Sequence, residues 1–130
     1  MKVRNGFVSN SSSSSFIIRG MKLTTDEIIE KLQVPQSEID ELSDDEYELY
    51  EFLGNKFTGF TYNSDGNYFG GQDYTTLVIG EDIGSLKDGE VTELKDRTSE
   101  EDDALIKKFE DLGFTGKLST YVQMVSNDNY

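Results

Sequence analysis

Hydrophobic positions change their spacing several times along the chain, and each change predicts a new structural element. The apolar run at residues 16–18, closed by Gly20, is typical of a short β-strand. Thr24 and Glu27 then have the spacing of a helix N-terminal capping box, which predicts a helix that Pro35 ends. The chain therefore begins its ordered part with a strand followed directly by a helix.

Helical spacing resumes over residues 38–53, where apolar side chains recur every three to four positions. A second capping sequence, Ser43-Asp44-Asp45-Glu46, lies inside this stretch. The pattern leaves open whether residues 38–53 form one helix or two short ones. Gly54 is a typical C-terminal stop in either case.

The pattern then changes to that of β-structure. Residues 57–62 and 68–69 are expected to form the two arms of a hairpin around the turn-rich residues 63–67. Residues 74–79 give the strongest strand signal of the chain, ended by Gly80. Residues 81–97 are expected to be a loop, with at most a short helical turn at 90–95. The aromatic residues at 57, 60, 62, 68 and 69 are interpreted as core, with a binding face as the alternative.

The last third of the chain predicts one more helix and one more strand. Thr98 precedes a first turn of acidic residues, and Gly113 marks the end of the helix. Alternating residues over 118–125 predict the final strand. The order predicts an α+β fold: a mainly antiparallel sheet of four to five strands with about three helices packed on one face. We expect a Ser-rich leader over residues 1–15, flexible or extended, and a single acidic domain over residues 16–130.

Charge is distributed unevenly over the chain. The net charge is −14, and all 26 acidic residues lie from Asp26 onward with only eight basic ones, a net of −18 for that part. Such a field repels nucleic acid and anionic membranes and favours a basic protein as partner. The oligomeric state is not indicated by the sequence.

Eight carboxylates lie between residues 38 and 51, and no basic residue occurs between Lys31 and Lys56. Carboxylates along a helix can imitate DNA phosphates for a protein that binds phosphate through Lys and Arg. The alternative is an ordinary solvated helix face. The candidate partner-binding residues are Asp40, Glu41, Asp44, Asp45, Glu48 and Glu51.

Histidine and cysteine are both absent. The commonest acid–base group, the thiol nucleophile and the usual zinc ligands are therefore missing, so we expect no enzymatic activity, no cofactor and no metal. The alternative is a carboxylate-metal enzyme in which Asp65, Asp73, Glu81 and Asp82 cluster on loops beside the sheet and hold Mg²⁺ together with water molecules. No apolar run is long enough to cross a membrane, no secretory signal is recognisable, and we expect a cytoplasmic protein.

The N-terminal residues Arg4-Asn5-Gly6-Phe7-Val8-Ser9-Asn10, followed by five serines and Phe16, carry a specific resemblance. The string resembles the R-x-GFVSNSSSSSF leader shared by small bacteriophage and prophage proteins whose bodies otherwise differ. Residues 74–90 also look similar to a segment of some of these bodies. The resemblance implies a phage origin and brings no activity with it.

A leader that recurs on different bodies implies a recognition or modification tag, with the body as its cargo. Serine runs are solvated and can be phosphorylated. The alternative is an exposed turn that leads into the first strand. The candidate recognition residues are Arg4, Phe7, Ser11, Ser12, Ser13, Ser14 and Ser15.

Overall fold

The computed structural model describes residues 14–65, 74–87, 89–94 and 96–125. Four strands form one antiparallel sheet in the order β2-β3-β1-β4. The strands are β1 (Ser14–Thr24), β2 (Thr61–Ser64), β3 (Thr76–Lys87) and β4 (Ser119–Val125). The helices are α1 (Thr25–Leu32), α2 (Gln36–Asp40), α3 (Glu46–Gly54) and α4 (Ser99–Asp111).

The predicted α+β class and antiparallel sheet are confirmed. Within the described residues the sheet has four strands, and three of the four helices have eight residues or more. The short α2 is the fourth helix. None of these helices is long and apolar enough to cross a membrane.

The two central strands are longer than predicted, because neither glycine ends its strand. Gly20 lies within β1 and Gly80 within β3, and the two residues face each other across the sheet. A Cβ atom on Gly20 would overlap the carbonyl oxygen of Ile79. Glycine here allows a close approach of two backbones rather than a turn. Residues 81–87, expected to be loop, therefore continue β3.

A β-bulge adjusts the second half of this strand pair. Ile17 pairs with Gly84 and Ile18 with Asp82, so Ile83 is the extra residue on β3. No helix is present at residues 89–94, in contrast to the short helical turn considered for that region.

Strand β1 also begins earlier than predicted and takes two serines from the expected leader. Ser14 and Ser15 belong to β1. The Ser15 hydroxyl is fully buried, donates to the carbonyl oxygen of Leu86 at 3.3 Å and accepts from the Leu86 amide at 3.1 Å. The predicted boundary after residue 15 is therefore wrong, because the sheet already includes the last two residues of the leader.

The predicted hairpin is not reproduced in the described residues: residues 63 and 64, expected in its turn, belong to a strand. Strand β2 covers Thr61–Ser64, and residues 57–60 precede it without strand structure. Its partner is β3, with Tyr62 opposite Ile79. The second arm predicted at residues 68–69 lies outside the described residues.

Capping boxes fix the N-terminal ends of α1 and α4; the sequence predicts the one at Thr24, and at Thr98 it predicts only the start of a helix. Thr24 caps α1 and Thr98 caps α4. In each case the Thr hydroxyl oxygen accepts from the backbone amide of the Glu at the third helical position, and the carboxylate of that Glu accepts from the backbone amide of the Thr. Helix α1 ends earlier than Pro35, at Leu32, because Gln33 adopts a left-handed conformation with φ of 53°.

The stretch at residues 38–53 forms two helices, which decides the open alternative. Asp45 is the N-cap of α3 and accepts a hydrogen bond from the Tyr47 amide at 3.0 Å. Residues 41–45 connect α2 to α3. The acidic residues therefore lie on two short helices and the turn between them.

The core lies between the sheet and helices α1, α3 and α4. Met21 and Leu23 of β1 alternate with the exposed Lys22 and Thr24, as expected for a half-buried strand. The helices contribute buried apolar residues to the same cluster, namely Ile28, Tyr50, Leu53, Leu105 and Phe109. Of the aromatic residues expected in the core, Phe57 is buried in this cluster, and Phe60 and Tyr62 are partly buried and pack against it.

An ion-pair network fastens α4 to the sheet beside this core. Asp102 of α4 accepts from Arg19 of β1 at 2.8 Å and from Arg97 at 2.6 Å. Arg97 also contacts Glu81 of β3 at 2.7 Å. The two guanidinium groups lower the pKa of Asp102 to about 2. Asp102 thus joins α4 to β1 and to the segment before α4, and Arg97 extends the network to β3.

Candidate functional site

The acidic residues surround a shallow groove between α2 and α3, which we call the acidic groove. Its volume is about 280 Å³. Three apolar side chains, Ile39, Leu42 and Leu49, are half-buried beneath it. Its carboxylates are those of Asp40, Asp44, Asp45 and Glu46.

Of the six candidate partner-binding residues, the groove brings together Asp40, Asp44 and Asp45. Glu41, Glu48 and Glu51 lie outside its lining. Glu46, which was not among the candidates, lines the groove instead. The candidate set is therefore divided over more than one side of the α2–α3 pair.

Several of these carboxylates also hold the local structure. Asp45 caps α3, and Glu48 accepts from the Ser43 hydroxyl at 2.7 Å. Glu51 accepts from the Tyr47 hydroxyl at 2.8 Å, and Asp40 from the Gln36 amide at 2.9 Å. Reversing the charge of Asp45, Glu48 or Glu51 would therefore disturb folding as well as any binding.

The charge of the groove region is almost uncompensated. Within the described residues, Lys56 is the only base in ion-pair contact with the eight carboxylates of residues 38–51, at 3.6 Å from Glu38. The Lys56 ammonium also lies over the Phe52 ring. Asp44 is exposed at the rim of the groove.

Most of the leader candidates lie where the structure gives no description. Arg4, Phe7, Ser11, Ser12 and Ser13 are outside the described residues. Of the other two, Ser15 is buried in the sheet and cannot be presented to a partner in this fold.

A second cavity lies on the other side of α3, and we call it the tyrosine cavity. It has a volume of about 430 Å³ and is lined by four tyrosines together with Glu51. Phe16, Asn63, Ser64 and Gln123 complete its described lining. The four tyrosines are Tyr47, Tyr50, Tyr62 and Tyr74.

The tyrosine rings contact one another edge to face or at a tilt. Tyr50 is central: its ring centroid lies 5.4 Å from Tyr62, 5.1 Å from Tyr74 and 5.9 Å from Tyr47. Tyr47 and Tyr74 meet edge to face at 5.0 Å. Such pairs are favourable, and they hold the rings in fixed positions along the cavity wall.

The hydroxyl groups of these tyrosines have different surroundings. Tyr62 donates to the Asn55 side-chain oxygen at 3.2 Å, and Tyr47 donates to Glu51. Within the described part of the chain, the Tyr50 hydroxyl has no hydrogen-bond partner, although the residue is only 8% exposed. Burial raises the pKa of Tyr50 well above its ordinary value, and the Glu51 charge raises it further.

Replacement of Tyr50 by Phe tests whether this hydroxyl is unsatisfied. Tyr50→Phe is expected to raise the free energy of unfolding by about 1 kcal/mol, because it removes a buried polar group without a partner. The measurement is urea unfolding followed by circular dichroism. Tyr62→Phe is the matched control and should lower stability, since it loses the bond to Asn55. A clear destabilisation by Tyr50→Phe would show that its hydroxyl has a partner.

The chain matches no protein-family model, no curated protein and no solved structure. The acidic groove, the tyrosine cavity and the charge of the chain are therefore the features from which a function can be inferred.

The carboxylate metal site considered from the sequence is not assembled in the described part of the chain. No group of three or more Asp or Glu side chains there is placed to hold a metal ion. Asp73, one of the four acids considered, lies outside the described residues.

Sequence reasoning missed the tyrosine cavity, although part of its signal is local. Tyr47 and Tyr50 are three positions apart on a helix, which places them on one face. The apolar pattern of this stretch consists of Leu49, Phe52 and Leu53, but Tyr50 and Leu53 are the side chains that α3 buries. The approach of Tyr62 and Tyr74 depends on the pairing of β2 with β3 and has no local signal.

Proposed function

We propose that this is a phage-derived, non-enzymatic interaction protein that acts in the cytoplasm of a bacterial host. In this proposal the acidic groove binds a basic host or phage protein. The observation that carries it is the groove itself, in which four carboxylates surround three apolar side chains. The near absence of basic residues around the groove gives these carboxylates a strong joint field.

The groove suits a lysine or arginine side chain better than a small anion or a neutral ligand. Long basic side chains combine an aliphatic stem with a charged head. The stem can lie on Ile39, Leu42 and Leu49, while the head reaches Asp40 or Asp44 at the rim. A volume of about 280 Å³ accommodates one such side chain. Several basic residues on the partner would engage the remaining carboxylates.

Electrostatic steering would contribute more to the speed and selectivity of this association than to its final strength. Exposed charge pairs are weak individually and are screened by salt. A partner that normally binds phosphate would meet several carboxylates on one small surface, as in nucleic-acid mimicry. Binding of this kind must weaken as the salt concentration rises.

A charge-reversal pair in the groove tests the proposal. Asp40→Lys with Asp44→Lys removes the exposed Gln36–Asp40 hydrogen bond but leaves the α3 cap and the Glu48 and Glu51 bonds intact. We expect the affinity for the partner to fall at least about tenfold, because like charges then face the basic residues. The partner is first captured from bacterial lysate on the wild-type protein and eluted with rising salt. It is then identified, purified and titrated against each variant.

The matched control is Asp103→Lys with Glu110→Lys, which makes the same change of net charge on exposed positions of α4. We expect this control to lower the affinity less than about threefold. An equal loss in both variants would mean that only the total charge matters, and the groove proposal would fail. A partner that resists salt, or wild-type-like binding by the groove variant, would also contradict it.

A further inference from the structure

The tyrosine cavity has the composition of a ligand site. Its volume of about 430 Å³ lies within the usual range for small-molecule sites. Its described lining contains four tyrosine rings, one carboxylate and no Lys or Arg side chain. It shares no lining residue with the acidic groove.

We propose that the tyrosine cavity binds an organic cation, with an alkylammonium or guanidinium group held among the tyrosine rings beside Glu51. The face of an aromatic ring carries negative potential, and several rings together attract a cation that has lost part of its water. Glu51 supplies a full negative charge at the same cavity. This site is independent of the acidic groove and does not require that proposal to be right.

The charge of the cavity selects against anions. Without a basic side chain in its described lining, an anionic ligand would meet Glu51 with no compensation. Glu51 raises the pKa of three of these tyrosines. The hydrogen bond to Glu51 raises the pKa of Tyr47, and burial together with the Glu51 charge raises the pKa of Tyr62. The phenols of Tyr47 and Tyr62 therefore stay neutral and keep their hydrogen-bonding hydroxyls at physiological pH.

The unpartnered Tyr50 hydroxyl gives a second, independent indication of a ligand. A buried polar group without a partner is costly and uncommon in a folded protein. Tyr50 lines the cavity and is more than nine-tenths buried as a residue, and a phenol oxygen can accept from a ligand N–H group. A guanidinium or primary ammonium group has such donors, whereas a quaternary ammonium group has none.

Binding of three probe molecules to the cavity can be measured directly from the proton NMR resonances of the tyrosine rings. The probes are choline, its neutral isostere 3,3-dimethylbutan-1-ol, and N-acetylarginine methylamide. We expect both cations to shift the resonances of Tyr47, Tyr50 and Tyr62 in a saturable way, and the neutral isostere to bind at least about fivefold more weakly. Equal binding of choline and its isostere, or no saturable shift up to about 10 mM cation, would overturn the proposal.

A pair of charge-neutralising variants locates the site. Glu51→Gln removes the cavity carboxylate, and Glu48→Gln removes one equal charge from the same helix away from the cavity. We expect about a fivefold loss of cation affinity for Glu51→Gln and less than about a twofold change for Glu48→Gln. The thermal midpoint of each variant confirms that it is folded. Equal effects of the two variants would refute the cavity as the site.

The Tyr50→Phe variant separates the two cation classes. It keeps the ring and removes the hydroxyl, so it should weaken the arginine probe by about threefold and leave choline unchanged. Tighter binding of choline would indicate a free small cation as the natural ligand. Tighter binding of the arginine probe would indicate a basic side chain of a protein. Either order of affinities supports the site. If cations still shift the tyrosine ring resonances in both the Glu51→Gln and the Tyr47→Leu variants, the site is refuted.

Discussion

Gly20→Ala is expected to lower the free energy of unfolding by about 3 kcal/mol. Gly20 and Gly80 face each other in the central strand pair, and an added Cβ would overlap backbone atoms of Ile79 and Gly80. Backbone atoms cannot move aside as the end of a side chain can. The strands must therefore separate locally and lose ladder hydrogen bonds. Urea unfolding followed by circular dichroism measures the loss.

The control for this experiment is Ser85→Ala, an exposed position of the same strand β3. It should change stability by less than about 0.5 kcal/mol. Gly80→Ala should resemble Gly20→Ala, because a Cβ there would overlap the carbonyl oxygen of Arg19. The double variant should lose less than the sum, since one substitution already separates the strands. Wild-type stability of Gly20→Ala would contradict the close approach of β1 and β3.

Asp102→Asn is expected to lower the free energy of unfolding by about 2 kcal/mol at about pH 7. The substitution keeps the shape of the side chain but leaves Arg19 and Arg97 without their shared carboxylate. Loss of one partner from a buried pair costs about 3–5 kcal/mol, and the partial exposure of this network reduces that figure. Comparison with Asp103→Asn, an exposed neighbour on α4, controls for the loss of one charge.

The difference in the free energy of unfolding between the wild type and Asp102→Asn should also depend on pH. The pKa of Asp102 is lowered from 3.8 to about 2 by hydrogen bonds from Arg19 and Arg97. A carboxyl with a lowered folded-state pKa stabilises fully above its unfolded pKa and loses this contribution as the pH falls through its folded pKa. The wild-type advantage should therefore decrease by about 1 kcal/mol between about pH 5 and pH 2, after allowance for solvent screening. A difference that stays constant over this interval would mean that Asp102 does not titrate with a lowered pKa.

The two proposed sites differ in how strongly their binding depends on salt. The acidic groove is built from exposed carboxylates, so its binding must be salt-sensitive and depends on several weak contacts. The tyrosine cavity adds aromatic rings to a single carboxylate, so its attraction for a cation depends less on exposed charge pairs. The two sites lie on different sides of α3 and respond to different substitutions. Glu51→Gln and the Asp40 and Asp44 reversals therefore distinguish them in one protein.

The sequence alone determined the features that depend on neighbouring residues. The capping box at Thr24 acts over three residues and was predicted correctly, and the start of the last helix at Thr98 was predicted from the acidic residues of its first turn. The strand at 118–125 and the α+β class follow from side-chain periodicity, which is also local. The acidic surface was predicted from composition, and the groove unites part of it because α2 and α3 are close along the chain.

Only the tertiary structure decided the features that join distant residues. A glycine looks like a strand end in sequence, but at residues 20 and 80 it allows two backbones to approach, because each lies opposite the other. Arg19 and Asp102 are 83 positions apart, so no local pattern indicates that they share a hydrogen bond. Ser15 belongs to the sheet because β3 extends as far as Leu86, whose backbone amide donates a hydrogen bond to the Ser15 hydroxyl. The tyrosine cavity likewise exists because strand pairing brings Tyr62 and Tyr74 to α3, and contact between elements is settled by packing rather than by sequence spacing.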